Sequence, residues 1–175
     1  MIISEKELED MIFNADKQDL AERGLFLPYK IRRQVRIGNY GIADMVGYEK
    51  GCKVKGWENS PTIYIYELKK EQINIYTFLQ AVRYAKGIVS YFKYKGYMSP
   101  NINIALIGNS IDFSNEFLYL PDLLSCEKIT LELYTYSLKF NGIFFKSHYG
   151  YYLKKEGFNE KQTFNTDNDF DFTEF

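Results

Sequence analysis

Glu67 and Lys69 stand two residues apart at the end of Ile63-Tyr64-Ile65-Tyr66-Glu67-Leu68-Lys69, a stretch with the alternating β-branched and aromatic pattern of a strand. Residues i and i+2 of a strand face the same side, so this carboxylate and ammonium project together. Two readings are open: an exposed charge pair on a solvated edge, or half of a reaction centre. Asp44 bears on the choice, as the one polar residue inside an otherwise apolar stretch (Ile42, Ala43, Met45, Val46). Burying such an acid is expensive unless it is paired or bound to a metal. With Asp44 and Glu67 at adjacent strand ends, their oxygens would suit one or two hard cations, Mg²⁺ or Mn²⁺. Mg²⁺ prefers a couple of carboxylates completed by waters and a substrate phosphate. One such cation polarises a scissile phosphate and lowers the pKa of a bound water, and a second stabilises the leaving oxygen. Lys69 would orient or deprotonate the attacking water, or stabilise charge developing on the phosphate. Gln80 and Tyr84, at i and i+4 of the next element, lie together on a helix flank beside Arg83 and would position substrate or water by hydrogen bonds.

The elements that must hold these groups can be read from periodicity. Residues 4–14 form a short amphipathic helix with Ser4 as N-cap, Glu7 at the capping-box spacing, and Leu8, Met11 and Ile12 as the apolar stripe. Glu5 and Glu9 are four apart and share a face of it. Residues 16–22 continue as a further helical turn stopped by Gly24. Residues 25–36 carry Lys30, Arg32, Arg33 and Arg36 among apolar residues. By itself this pattern reads more simply as a protected strand edge than as a set of phosphate contacts. Gly38, Asn39 and Gly41 make a tight turn into a strand over 42–48. Residues 50–61 are a loop, with Gly51, Gly56, Asn59, Ser60 and Pro61, leading into the strand of Glu67.

Residues 74–94 are the longest helical pattern, with Ile75, Phe78, Leu79, Val82, Ala85, Val89 and Phe92 expected against the sheet. Gly96 and Pro100 end it. Residues 101–108 read as a buried parallel strand joined to the preceding one by the helix. A short apolar turn around 116–124 follows, then strands over 129–138 and 140–149 that pair as a hairpin near Asn141-Gly142. His148 has no second histidine or cysteine with which to form a ligand set, and reads as a surface or packing residue.

The chain has 175 residues, 46% of them hydrophobic and 18% aromatic, enough for one substantial core and far from a disordered composition. It shows no run of 18 apolar residues and no basic-then-apolar start, which predicts neither a membrane span nor a signal peptide, and a cytoplasmic protein. Cys52 and Cys126 lack ligand spacing and read as reduced thiols. No P-loop, GxGxxG or GxSxG motif is present. The formal charge of −1 averages two unlike regions. The last eleven residues hold Asp167, Asp169, Asp171 and Glu174 without a Lys or Arg. Without them, 22 cations stand against 19 acids, a mildly basic body of charge +3. Residues 1–164 are thus expected to form one domain. Residues 165–175 are expected to form an acidic, disordered tail, with docking on a protein partner or over the chain's own basic groove as the sharper alternative.

Taken together, the order is a helix with Glu5 and Glu9, a strand with Asp44, a strand ending Glu67-Leu68-Lys69, and a helix with Gln80-Ala-Val-Arg-Tyr84. This resembles the PD-(D/E)XK nuclease superfamily, in its RecB-type branch with a Gln-x-x-x-Tyr helix, over roughly residues 3 to 108. Ala43 stands where the proline that names the superfamily would precede Asp44. The resemblance implies an α/β (α+β) fold, with an αβββαβ restriction-endonuclease-like core, a mixed sheet flanked by helices, and a C-terminal β-hairpin added. It implies a Mg²⁺-dependent deoxyribonuclease with Asp44, Glu67, Lys69, Gln80 and Tyr84 in its site, and a place in phage or mobile-element defence or repair. A helix-1 acid would join the metal ligands. Glu9 follows Leu8 as the family pattern favours, and Glu5 is the other choice. Lys30, Arg33, Arg36 and Arg83 would contact the backbone of DNA, giving affinity more than sequence preference. Oligomeric state is open, with a homodimer among the options. The competing class is a nuclease-like fold that binds nucleic acid or a protein with little or no hydrolysis.

Overall fold

The computed structural model describes residues 3–51, 53–54, 57–58, 60–112 and 128–148. The expected apolar turn around 116–124, the acidic tail and both cysteines lie outside the described residues. The chain runs α1 (Glu5–Asn14), α2 (Lys17–Glu22), β1 (Lys30–Arg36), a 3₁₀ turn (Gly38–Tyr40), β2 (Ile42–Glu49), β3 (Lys53–Val54), β4 (Trp57–Glu58), β5 (Thr62–Leu68), β6 (Gln72–Ile73), α3 (Ile75–Tyr94), β7 (Asn101–Gly108), β8 (Ser110–Ile111), β9 (Ile129–Lys139) and β10 (Gly142–Ser147).

Six strands form one mixed sheet in the order β1-β2-β5-β7-β9-β10. Pairing is antiparallel for β1 with β2 and for β2 with β5, then parallel from β5 through β7 to β9, and antiparallel again in the β9–β10 hairpin. Helices flank the sheet, as in a restriction-endonuclease-like core. The segment 50–61 is not wholly irregular, because β3 and β4 pair within it. Among the described residues, no helix is long and apolar enough to cross a membrane.

Local chemistry fixes the helix ends. Both halves of the α1 capping box form: Glu7 N–H donates to Ser4 Oγ at 3.1 Å, and Ser4 N–H donates to Glu7 Oε2 at 2.7 Å. Asp16 and Asn74 cap α2 and α3. Gly24 and Gly96 then close those helices with paired Schellman bonds: Leu25 N–H to Leu20 O and Gly24 N–H to Ala21 O, and Tyr97 N–H to Phe92 O and Gly96 N–H to Lys93 O.

The sheet separates two cores. One, under α3, contains Ile63, Ile65, Phe78, Ala81, Tyr84, Ala85 and Ile104. The other, under α1 and α2, contains Leu8, Ile12, Leu20, Met45, Tyr66, Leu68 and Ile107. Alternation along β5 therefore sends Ile63 and Ile65 one way and Tyr66 and Leu68 the other. Because both faces are covered, β5 and β7 are buried nearly throughout. The burial of α3 departs from the expected stripe. Leu79 is 53% exposed, and Ala81, Tyr84 and Ile88 pack inward instead.

Candidate active site

Glu67 continues the Ile63–Ile65 row at the C-terminal end of β5. The register Val46↔Ile65 and Met45↔Tyr66 brings Asp44 opposite it at the next step. At that point the backbone ladder gives way to a side chain, since Asp44 Oδ2 accepts a 2.8 Å hydrogen bond from Leu68 N–H. On its other side, Lys69 N–H donates to Ile107 O at 2.8 Å, so β7 holds the strand end firmly. The two carboxylates are thus set by main-chain pairing on both sides of β5, not by loops.

Glu67 is fully buried. Its Oε1 accepts from Lys69 Nζ at 2.9 Å, and its Oε2, also buried, has no hydrogen-bond partner among the described residues. An acceptor left unpaired in a low-dielectric site is costly. Burial, with repulsion from Asp44, pushes the Glu67 carboxyl up to about 7, with Lys69 pulling the other way. Burial also raises Asp44, against the Leu68 N–H bond and Lys69, with Glu9 and Glu5 adding to the rise. Burial pulls the Lys69 ammonium down. The hydrogen bond and charge of Glu67, helped by Glu5 and Asp44, more than offset that, and Lys69 lies above the ordinary lysine range. It is a firmly charged donor.

Gln80 and Tyr84 do meet, with Gln80 Nε2 donating to Tyr84 Oη at 2.8 Å. Tyr84 is not on an open flank, however. It is 1% exposed and belongs to the core under α3. It presses on Gly41, where a Cβ would come within 2.8 Å of Tyr84 Cε1. Gly41 also has φ of 121°, so only glycine suits both the turn and the contact. Helix α3 is in this way keyed to the start of the strand that carries Asp44.

The helix-1 acids part company. Glu9 is 5% exposed, and its carboxylate is taken up by Arg33 Nε and by Gln34 Nε2, the latter at 2.6 Å. Arg33 also reaches Asp10 at 2.5 Å and lies over the Phe13 ring. Arg33, expected at a phosphate, is here paired with two acids of α1 and so joins β1 to that helix. The signal was in the alternation, which groups Arg33 with Ile31 among the half-buried positions of β1. Glu5 is exposed and makes no ion pair among the described residues, yet its charge reaches Asp44, Glu67 and Lys69. Among the described residues, no three His, Cys, Asp or Glu side chains gather closely enough to hold a metal ion. Asp44 and Glu67 come together, and Glu9 does not join them.

Lys30, Arg36 and Arg83 are exposed, with Arg83 over the Tyr84 ring. His148 meets Thr135 Oγ1 through Nε2 at 2.9 Å, as a packing residue does. Gln34 has no signal in the sequence. It lies between the pairs Arg33↔Met45 and Val35↔Ala43, hence across from Asp44, with φ of 49°.

A scan against protein-family models and a search of the curated proteins both find no match for this chain. Among solved structures, it is similar to a crystal structure of a repair endonuclease from Pyrococcus abyssi, with 23% identity and a TM-score of 0.44. The match covers 74% of this chain and 46% of that one, so this chain spans less than half the length of that protein. At that level of similarity, the functional reading rests on the site's own geometry.

Proposed function

We propose that this chain is a divalent-metal-dependent nuclease that hydrolyses phosphodiester bonds, with DNA as substrate. The observation that carries the proposal is the buried Oε2 of Glu67, beside Asp44 and without a hydrogen-bond partner among the described residues. A buried oxygen left without a partner calls for an explanation, and a bound ion supplies one. Two carboxylates with room for water and phosphate oxygens are the usual Mg²⁺ arrangement, and Mn²⁺ fits the same donors.

When bound, the cation supplies Lewis acidity toward the phosphate and toward a water. The chain's own residues do the rest. Asp44 and Glu67 hold the cation at the strand ends. Lys69, kept charged by Glu67, donates to a phosphate oxygen and offsets the charge that develops there. Gln80, anchored by Tyr84, orients the substrate or the attacking water. Glu5, one helical turn before Glu9 and without an ion pair among the described residues, would extend the ligand set through water, while Glu9 fixes β1 against α1. Lys30, Arg36 and Arg83 hold the phosphodiester backbone.

A second reading is a nuclease-like fold that binds nucleic acid, or a protein through the acidic tail, without hydrolysing it. The observation favouring it is the absence of a third acid in the cluster among the described residues. Cleavage assays on linear, circular, flapped and single-stranded DNA with Mg²⁺ or Mn²⁺, using Glu67→Ala as control, separate the two. The first reading expects metal-dependent cleavage that the variant lacks. Absence of cleavage on every form would leave the second.

A further inference from the structure

A cleft of about 600 Å³ opens between β1, the 3₁₀ turn and the C-terminal half of α3. Its walls include Arg36, Ile37, Tyr40, Tyr91, Phe92 and Tyr94. It lies farther along the helix face that carries Gln80: Gln80, Tyr84, Gly87, Tyr91 and Tyr94 follow the 3.6-residue period. Gly87 lets the 3₁₀ turn pack directly on α3 at the edge of the cleft, because a Cβ there would meet the Tyr40 ring and Ile37 at 2.7 Å. Tyr91 and Tyr94 are 52% and 83% exposed, an unusual amount of aromatic surface to leave in water. Lys95 lies over both rings.

Charge says what kind of occupant suits it. The net charge of the chain is −1, yet β1 and α3 together carry Lys30, Arg32, Arg33, Arg36, Arg83, Lys86 and Lys93 and not one acid. Arg33 is paired within the fold, and the other six are exposed. Rings flanked by cations are the combination that holds an unpaired nucleic-acid strand, whose bases stack while its phosphates meet Lys and Arg. A duplex keeps its bases stacked inside and has nothing to offer such a cleft. An acidic groove wall, which would repel phosphate, is missing from both elements.

We propose that this cleft binds unpaired bases of the substrate strand, so that the chain acts on single-stranded or frayed nucleic acid. This rests on the nuclease reading for the chemistry, but its binding half can be tested without metal. The probes are a fluorescein-labelled oligothymidylate, a base-free deoxyribose-phosphate strand of equal length, and the matching duplex. Each is titrated with the full chain in EDTA and followed by anisotropy. The oligothymidylate is expected to bind roughly tenfold tighter than the base-free strand. Tyr91→Ala and Tyr94→Ala should each erase much of that preference without changing base-free binding, and Tyr91→Phe should keep it. Equal affinity for the two strands, preference for the duplex, or tyrosine variants that retain the base preference would overturn the proposal. So would a change of oligomeric state in Tyr91→Ala with oligonucleotide affinity intact, which would assign the cleft to a second copy of the chain. Base-selective binding without metal-dependent cleavage removes hydrolysis and leaves the base site. Cleavage without base-selective binding does the reverse.

Discussion

Gln34 faces Asp44 across β1 and β2, and it is the one described non-glycine residue with a left-handed backbone, at φ of 49°. Its side chain is spent on Glu9. Strain of this kind costs about 1–3 kcal/mol and persists where the surroundings impose it, often at functional sites. In an ordinary strand, alanine is better than glycine. Here the order should invert. Gln34→Gly is expected to be more stable than Gln34→Ala by about 1–2 kcal/mol in urea unfolding, and the opposite order would show that the left-handed turn is not imposed.

The two helix-1 acids should separate by phenotype. Glu9→Gln and Arg33→Ala disrupt a largely buried pair, so thermal unfolding should show a loss of about 1–3 kcal/mol for either. Glu5→Gln should leave the melting temperature within error and reduce cleavage. A stable, inactive Glu9→Gln together with a fully active Glu5→Gln would reverse the assignment.

The basic residues of β1 divide in the same way. Arg36→Ala, at an exposed position, should weaken DNA binding evenly across sequences and lower the slope of log affinity against log salt by about 1. Arg33→Ala should leave that slope unchanged when measured on protein verified as folded. Equal slope changes in both variants would return Arg33 to the phosphate-binding group.

Glu67 makes stability depend on pH in a stated direction. Its folded value of about 7 lies above the ordinary 4.5, so the folded state holds the proton more tightly than the unfolded chain. Without metal, stability is highest below pH 4.5 as far as this group is concerned. It falls as pH rises through 7, by on the order of 3 kcal/mol. The upward shift of Asp44 acts in the same sense. Glu67→Gln should flatten this fall. Denaturant titrations of both proteins between pH 5 and 8 would check it, and a metal-free wild type that gains stability over that range would contradict it.

Much of this was legible in the chain. Alternation located β5 and β9, short apolar runs between turn signals located β2 and β7, the Asn141-Gly142 turn placed β10 beside β9, and the Ser4–Glu7 spacing gave the α1 cap. The Glu67–Lys69 pair followed from the two-residue strand period. Tertiary facts were not legible. An i, i+4 spacing puts Gln80 and Tyr84 together but does not say which face the sheet covers, and so Tyr84 turned out to be core. Glu9 and Arg33 are 24 residues apart, and no local pattern announces their pairing. The strained Gln34 looks like any polar strand residue until its backbone is seen.

The most direct test of the central claim is the Mg²⁺-dependent shift in melting temperature at pH 8, measured on the wild type and on Glu67→Gln, a change that keeps the shape and removes the charge. The wild type should be stabilised in a saturable, Mg²⁺-dependent way, by RT ln(1 + [Mg²⁺]/Kd), and the variant should fold, melt no lower than the metal-free wild type and show no such shift. A wild type indifferent to Mg²⁺ and Mn²⁺, or a variant that responds equally, would contradict a metal site at Asp44 and Glu67.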